Sequence, residues 1–138
     1  PGSPVSFGQL PRENRNNQIV FSLPGNPSSA MVTFEIFVRP FLLALAGSSQ
    51  IYRPIIDASS AIALSSPKNL TEFPRVKLEK RNGHLTFFPA GPQGSGLVGS
   101  LGVADALAII PEGIDKVDEG STLSLILLHD SPGFYDWS

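Results

Sequence analysis

Two kinds of hydrophobic periodicity divide this chain. Between residues 27 and 46, apolar side chains recur at three- and four-residue spacing: Ala30, Met31, Phe34, Phe37, Val38, Phe41, Leu42 and Leu45. That spacing predicts an amphipathic helix whose apolar face widens toward its end. Pro40 lies inside the run. It lacks an N–H and its ring crowds the preceding turn, which predicts a kink or break near Phe37. Gly47, followed by Ser48 and Ser49, predicts the helix end. The face is a candidate interface wherever the rest of the fold leaves it uncovered.

Beyond residues 47–52 the pattern changes to short alternating or β-branched runs separated by Gly and Pro. Residues 52–64 predict a first strand, bent at Pro54 or Asp57. Residues 73–80 predict a second, with Val76 and Leu78 on one face and Arg75, Lys77 and Glu79 on the other. Asn82-Gly83 predicts a two-residue hairpin turn, returning into residues 84–88. Residues 104–110 predict a buried strand closed by Pro111, and residues 121–128 the last strand. Five or six short strands with turns between them point to a small β-barrel. Ahead of the helix, residues 5–7 and 19–23 are short apolar runs around a polar loop, which suits a β-hairpin.

Composition narrows the function classes. The chain has 138 residues, is 41% hydrophobic and 16% charged, and carries a formal net charge of −2. This is a globular balance, with no basic cluster to follow a nucleic-acid backbone. There is no cysteine, hence no disulfide, thiolate nucleophile or Cys-ligated metal. His84 and His129 are far apart and fit solvated positions better than a zinc site. Asp115, Asp118 and Glu119 gather between Gly113 and Gly120 as an acidic surface loop, without the ordered ligand spacing of an EF-hand. Arg39 and Pro40 interrupt the longest apolar run, so none is expected to reach membrane length.

The most informative stretch joins the hairpin to the helix. Pro24-Gly25 stops the strand with a turn. Asn26 is a good N-cap and Pro27 suits the first helical position. Ser28 and Ser29 add hydroxyls. Such a helix start is either an anion-binding geometry or a plain strand-to-helix turn. Arg75 has two readings of the same kind. It is an ordinary surface arginine, or a guanidinium that grips a phosphate-like oxyanion with two parallel bonds. Residues 93–102 are glycine-rich and hold Ser95, which fits a flexible loop or a backbone bent around a ligand.

Residues 20–40, with Pro24-Gly25-Asn26-Pro27-Ser28-Ser29 at their centre, resemble the molybdopterin molybdenumtransferases, the MoeA and gephyrin E-domain proteins of molybdenum cofactor synthesis. The family pattern is a strand, PGNPVS, then a helix running into a proline-containing apolar segment. Ser28 stands where the family has valine. Pro1-Gly2-Ser3-Pro4 and Gln93-Gly94-Ser95 extend the resemblance, which covers nearly all of residues 1–128. It implies an α+β fold: the C-terminal piece of an α/β molybdopterin-binding domain (residues 1–47, strands plus one kinked helix), a small β-barrel (residues 48–128) and a tail (residues 129–138). It also implies that the sequence begins inside a domain, as a fragment of a longer enzyme.

The implied reaction inserts molybdenum from molybdate into adenylylated molybdopterin, with AMP release assisted by Mg²⁺. The Mg²⁺-binding acidic residues and the main pterin-binding loop are implied to lie upstream of these residues. Two family lysines have no counterpart here, one falling before Pro1 and one at Ser3. The implied oxyanion-binding set is Pro24, Gly25, Asn26, Pro27, Ser28, Arg75 and Ser95, with no catalytic residue or metal ligand among them. Molybdopterin-adenylate and molybdate are the implied partners, in a cytoplasmic homodimer without nucleic acid or membrane insertion. The chain alone is expected to have no turnover. The competing reading is a non-catalytic β-barrel interaction or dimerisation module.

Overall fold

The computed structural model describes residues 5–13, 16–91 and 104–129. The chain divides into two compact units, Pro1–Tyr52 and Arg53–Ser138.

In the first unit, β1 (Ser6–Leu10) and β2 (Gln18–Ser22) form an antiparallel hairpin with Phe7 opposite Phe21. Their ring centroids are 5.4 Å apart. Phe41 meets Phe21 edge-on at 5.2 Å and Phe7 at 6.3 Å. This aromatic triad docks the helix on the hairpin, in the tilted and edge-to-face arrangements that ring quadrupoles favour.

The helix begins as α1 (Pro27–Thr33). It then widens into a π-helical turn, Phe34–Val38, and resumes as α2 (Arg39–Leu45). The turn answers the problem set by Pro40. In a regular α-helix the proline ring would meet the Ile36 carbonyl and one ladder bond would be lost. Here the Arg39 N–H reaches back five residues to the Phe34 carbonyl, so the turn takes up an extra residue instead of breaking. The expected interruption lies where the sequence places it, but as a π turn within one continuous helix. The helix closes with a Schellman motif. The Ser48 N–H donates to the Leu43 carbonyl (3.0 Å) and the Gly47 N–H to the Ala44 carbonyl (3.1 Å). Gly47 has φ +76°, as the αL position of that motif requires.

Because the helix does not break, Pro27–Leu45 spans 19 residues and meets the length and composition of a membrane-crossing helix. The expectation that Arg39 and Pro40 keep every apolar run below membrane length is therefore corrected. Glu35 and Arg39 sit 3.8 Å apart near its middle, a charged pair that a hydrocarbon interior disfavours. Of its residues only Thr33 and Val38 are buried, while Phe37 is 56% and Leu45 68% exposed.

The second unit is a closed five-stranded barrel in the order β3-β6-β5-β7-β9. Its strands are β3 (Ile55–Ser60), β5 (Arg75–Arg81), β6 (His84–Pro89), β7 (Ala106–Ala108) and β9 (Thr122–Leu127). All neighbours are antiparallel except β3 and β6, which close the barrel in parallel through Ser59↔Thr86 and Ser60↔Phe87. Alternation decides what lies inside: Ala58, Val76, Leu78, Phe87, Ala106, Ala108, Leu125 and Leu127 make one core cluster. Asn82-Gly83 forms the tight turn between β5 and β6, with φ +50° and +81°. A side sheet pairs β4 (Leu64–Ser65) with β8 (Lys116–Val117). The first expected strand thus resolves into β3 and the short β4. The expected strand over 104–110 is regular only at Ala106–Ala108, with Ile110 in a lone bridge to Glu72.

Candidate functional site

The helix start has the expected local chemistry. Asn26 caps it in an extended conformation, and its Oδ1 accepts from the Ser28 N–H at 3.0 Å. Its carbonyl accepts from the Ala30 N–H at 2.8 Å. Pro24 is buried and Gly25 exposed. Pro27 has no N–H to offer, and that of Ser28 is taken by its own cap. Ser29 is the first-turn position to which neither applies, so an anion here would rely on fewer backbone donors than an uncapped helix start provides.

Arg75 opens β5 and is only 4% exposed, which departs from a solvated surface arginine. Its neighbours Val76 and Leu78 point into the core, so strand alternation puts Arg75 on the outward face. It pairs across the sheet with Leu107 of β7, which is 1% exposed. That end of the outward face is covered, and burial falls off along the strand. Lys77 is half-buried, and Glu79 and Arg81 are exposed. Phe88 stands opposite Lys77 and Thr86 opposite Glu79, both half-buried. Arg75 and the Asn26 turn belong to different units. Gln93, Gly94 and Ser95 lie outside the described residues, as do Ser3 and the aromatic tail.

Asp105 escapes the sequence reading. It is half-buried, and its Oδ2 accepts from the Leu78 N–H at 2.9 Å. Its own N–H donates to the Val76 carbonyl and its carbonyl accepts from the Leu128 N–H, both at 2.9 Å. β7 pairs with β5 only at Arg75 and Val76, so the Asp105 carboxylate acts as the acceptor where the ladder has run out. An isolated Asp before an apolar triplet gives no pattern signal for this.

The other candidates separate. His84 is exposed at the hairpin tip opposite Arg81, and His129 Nε2 lies 3.1 Å from the Ala104 carbonyl oxygen. Asp118 pairs with Lys116, and that hydrogen bond and charge raise the fully exposed Lys116 ammonium above its ordinary pKa. Among the described residues, no three His, Asp or Glu side chains converge as a metal site.

Comparison with known proteins places these elements. Residues 57–128, just over half of the chain, match the model of the MoeA C-terminal region (domain IV). The chain is 34% identical over 125 residues to molybdopterin molybdenumtransferase 2 of Mycobacterium tuberculosis, covering 91% of this chain and 29% of that protein. It is 30% identical over 124 residues to the molybdopterin molybdenumtransferase of Bacillus subtilis, covering 89% and 29%. The crystal structure of the molybdopterin biosynthesis MoeA protein from Pyrococcus horikoshii superimposes with a TM-score of 0.72 at 29% identity, over 95% of this chain and 30% of that one. The chain thus spans less than a third of the length of these relatives. Arg75, Asp105 and every strand of the closed barrel except the first residues of β3 fall within the matched domain, and the chain belongs to the MoeA family through this C-terminal region, domain IV.

Proposed function

We propose that this chain is the C-terminal part of an enzyme of molybdenum cofactor biosynthesis, one that inserts molybdenum from molybdate into adenylylated molybdopterin and releases AMP. The observation that carries the reading is the domain IV match over residues 57–128, which contains both Arg75 and Ser95. Arg75 is the charged group best suited to the oxyanion. A guanidinium presents paired donors to a tetrahedral anion, and one withdrawn from water has its favourable contacts less diluted by solvent. Pro24, Gly25, Asn26, Pro27, Ser28 and Ser95 complete the proposed oxyanion-binding set.

The work of these residues is positional and electrostatic: to hold a polyanion in place while the bond to the adenylate breaks. We assign the Mg²⁺ to parts of the parent enzyme outside these 138 residues, as the family resemblance implies. The 138-residue chain incubated with adenylylated molybdopterin, molybdate and Mg²⁺ should release AMP at the background rate, and turnover above background would overturn this division of labour. The working protein is placed in the cytoplasm as a homodimer, without nucleic acid and without membrane insertion.

A second reading, a non-catalytic barrel module for interaction or dimerisation, draws on one observation: Phe7, Phe37 and Leu45 are each more than half exposed. Arg75→Ala and Ser95→Ala discriminate. Both should weaken molybdopterin binding under the first reading and leave it unchanged under the second.

A further inference from the structure

We propose that Lys77 is a second anion-gripping residue, which holds a phosphate of the same ligand beside the group held by Arg75. This rests on the reading of Arg75 given above. Four of the ten Lys and Arg residues of the chain lie in β5, namely Arg75, Lys77, Lys80 and Arg81. Arg75 and Lys77 share the outward face of that strand, two residues apart and so about 7 Å along it. That spacing lets two cations meet neighbouring oxyanions of one ligand. Lys77 sits where the face passes from the covered Arg75 end to the open hairpin tip, so its ammonium can reach a ligand entering from solvent. Phe88, directly opposite, gives the rim an apolar wall.

What sets Lys77 apart is its unspent charge. Arg81 pairs with Glu79, Arg39 with Glu35 and Lys116 with Asp118. Lys77 is half-buried, yet among the described residues its ammonium takes part in no ion pair or hydrogen bond. A cation partly withdrawn from water without a carboxylate pays desolvation and recovers nothing from the described residues. A bound phosphate would supply the missing partner. An ammonium acts on it as a point charge, complementing the fixed fork of the arginine.

The test titrates the whole chain with adenylylated molybdopterin, which carries two adjacent phosphates, using the unsubstituted protein, Arg75→Ala, Lys77→Ala and Lys77→Arg at several salt concentrations. Lys77→Ala should weaken binding about fivefold to tenfold, the upper part of the range for an ordinary hydrogen bond, because solvent screens a partly exposed site. It should also flatten the dependence on salt. Lys77→Arg should restore most of the affinity, which a purely structural role would not require. Unchanged affinity and salt dependence in Lys77→Ala, with Arg75→Ala still impaired, would overturn this inference and leave the reading of Arg75 intact. No binding by the unsubstituted chain, or an Arg75→Ala variant that binds equally well, would overturn both.

Discussion

Arg75 shows how far a single position can be read. Alternation puts it opposite Val76 and Leu78, yet periodicity cannot say what covers the outer side of a strand. Its 4% exposure comes from the folded surroundings. Asp105 is the complementary case, a carboxylate serving the backbone where β7 stops. Asp105→Ala leaves the Leu78 N–H without its acceptor and should cost about 1–3 kcal/mol in thermal or urea unfolding. Asp105→Asn keeps an acceptor oxygen and should cost clearly less; equal losses would show that the hydrogen bond is not what matters. Ser66 makes the opposite prediction. Its Oγ is buried with no hydrogen-bond partner among the described residues, so Ser66→Ala removes an unsatisfied group and should leave the melting temperature unchanged or raise it. A marked fall would reveal a partner for that hydroxyl.

At the scale of elements, local chemistry was legible and non-local pairing was not. Asn26 with Pro27, Asn82-Gly83 and Gly47 each dictate backbone geometry within a few residues, and each stands where the sequence places it. Asn26→Ala should cost about 1 kcal/mol by unfolding measurements, through loss of the cap to Ser28. Gly83→Val should cost about 1–2 kcal/mol because φ +81° is strained for a branched side chain. Nothing lies within 4 Å of a Cβ built there, so the loss is conformational, and Gly83→Asn should recover much of it. Barrel closure depended on the two-residue parallel contact of β3 with β6, and no local signal announces that. The two-residue β8 lay below any pattern length. The proline signal correctly marked Phe37, but it does not say whether a helix breaks or widens there, and here it widens into a π turn. The Phe7–Phe21–Phe41 triad packs the second half on the hairpin.

For the whole molecule, the family and the barrel were legible because residues 20–40 carry a long motif and the later strands alternate cleanly. The candidate site was legible only in part, since Ser95 lies outside the described residues and the Asn26 turn and Arg75 belong to separate units. The apolar helix face is unevenly used. Phe41 is packed, whereas Phe37, Leu42 and Leu45 face outward. Exposed rings and leucines of this size are ordinarily covered in a working protein. The central claim is that this chain holds part of a molybdopterin site around Arg75. The most direct measurement is a titration of the purified chain with molybdopterin, alongside Arg75→Ala checked for retained folding. The account predicts saturable binding that Arg75→Ala weakens about tenfold or more, the scale of a charge-assisted contact withdrawn from water. Absence of binding, or equal affinity in the two proteins, would contradict it.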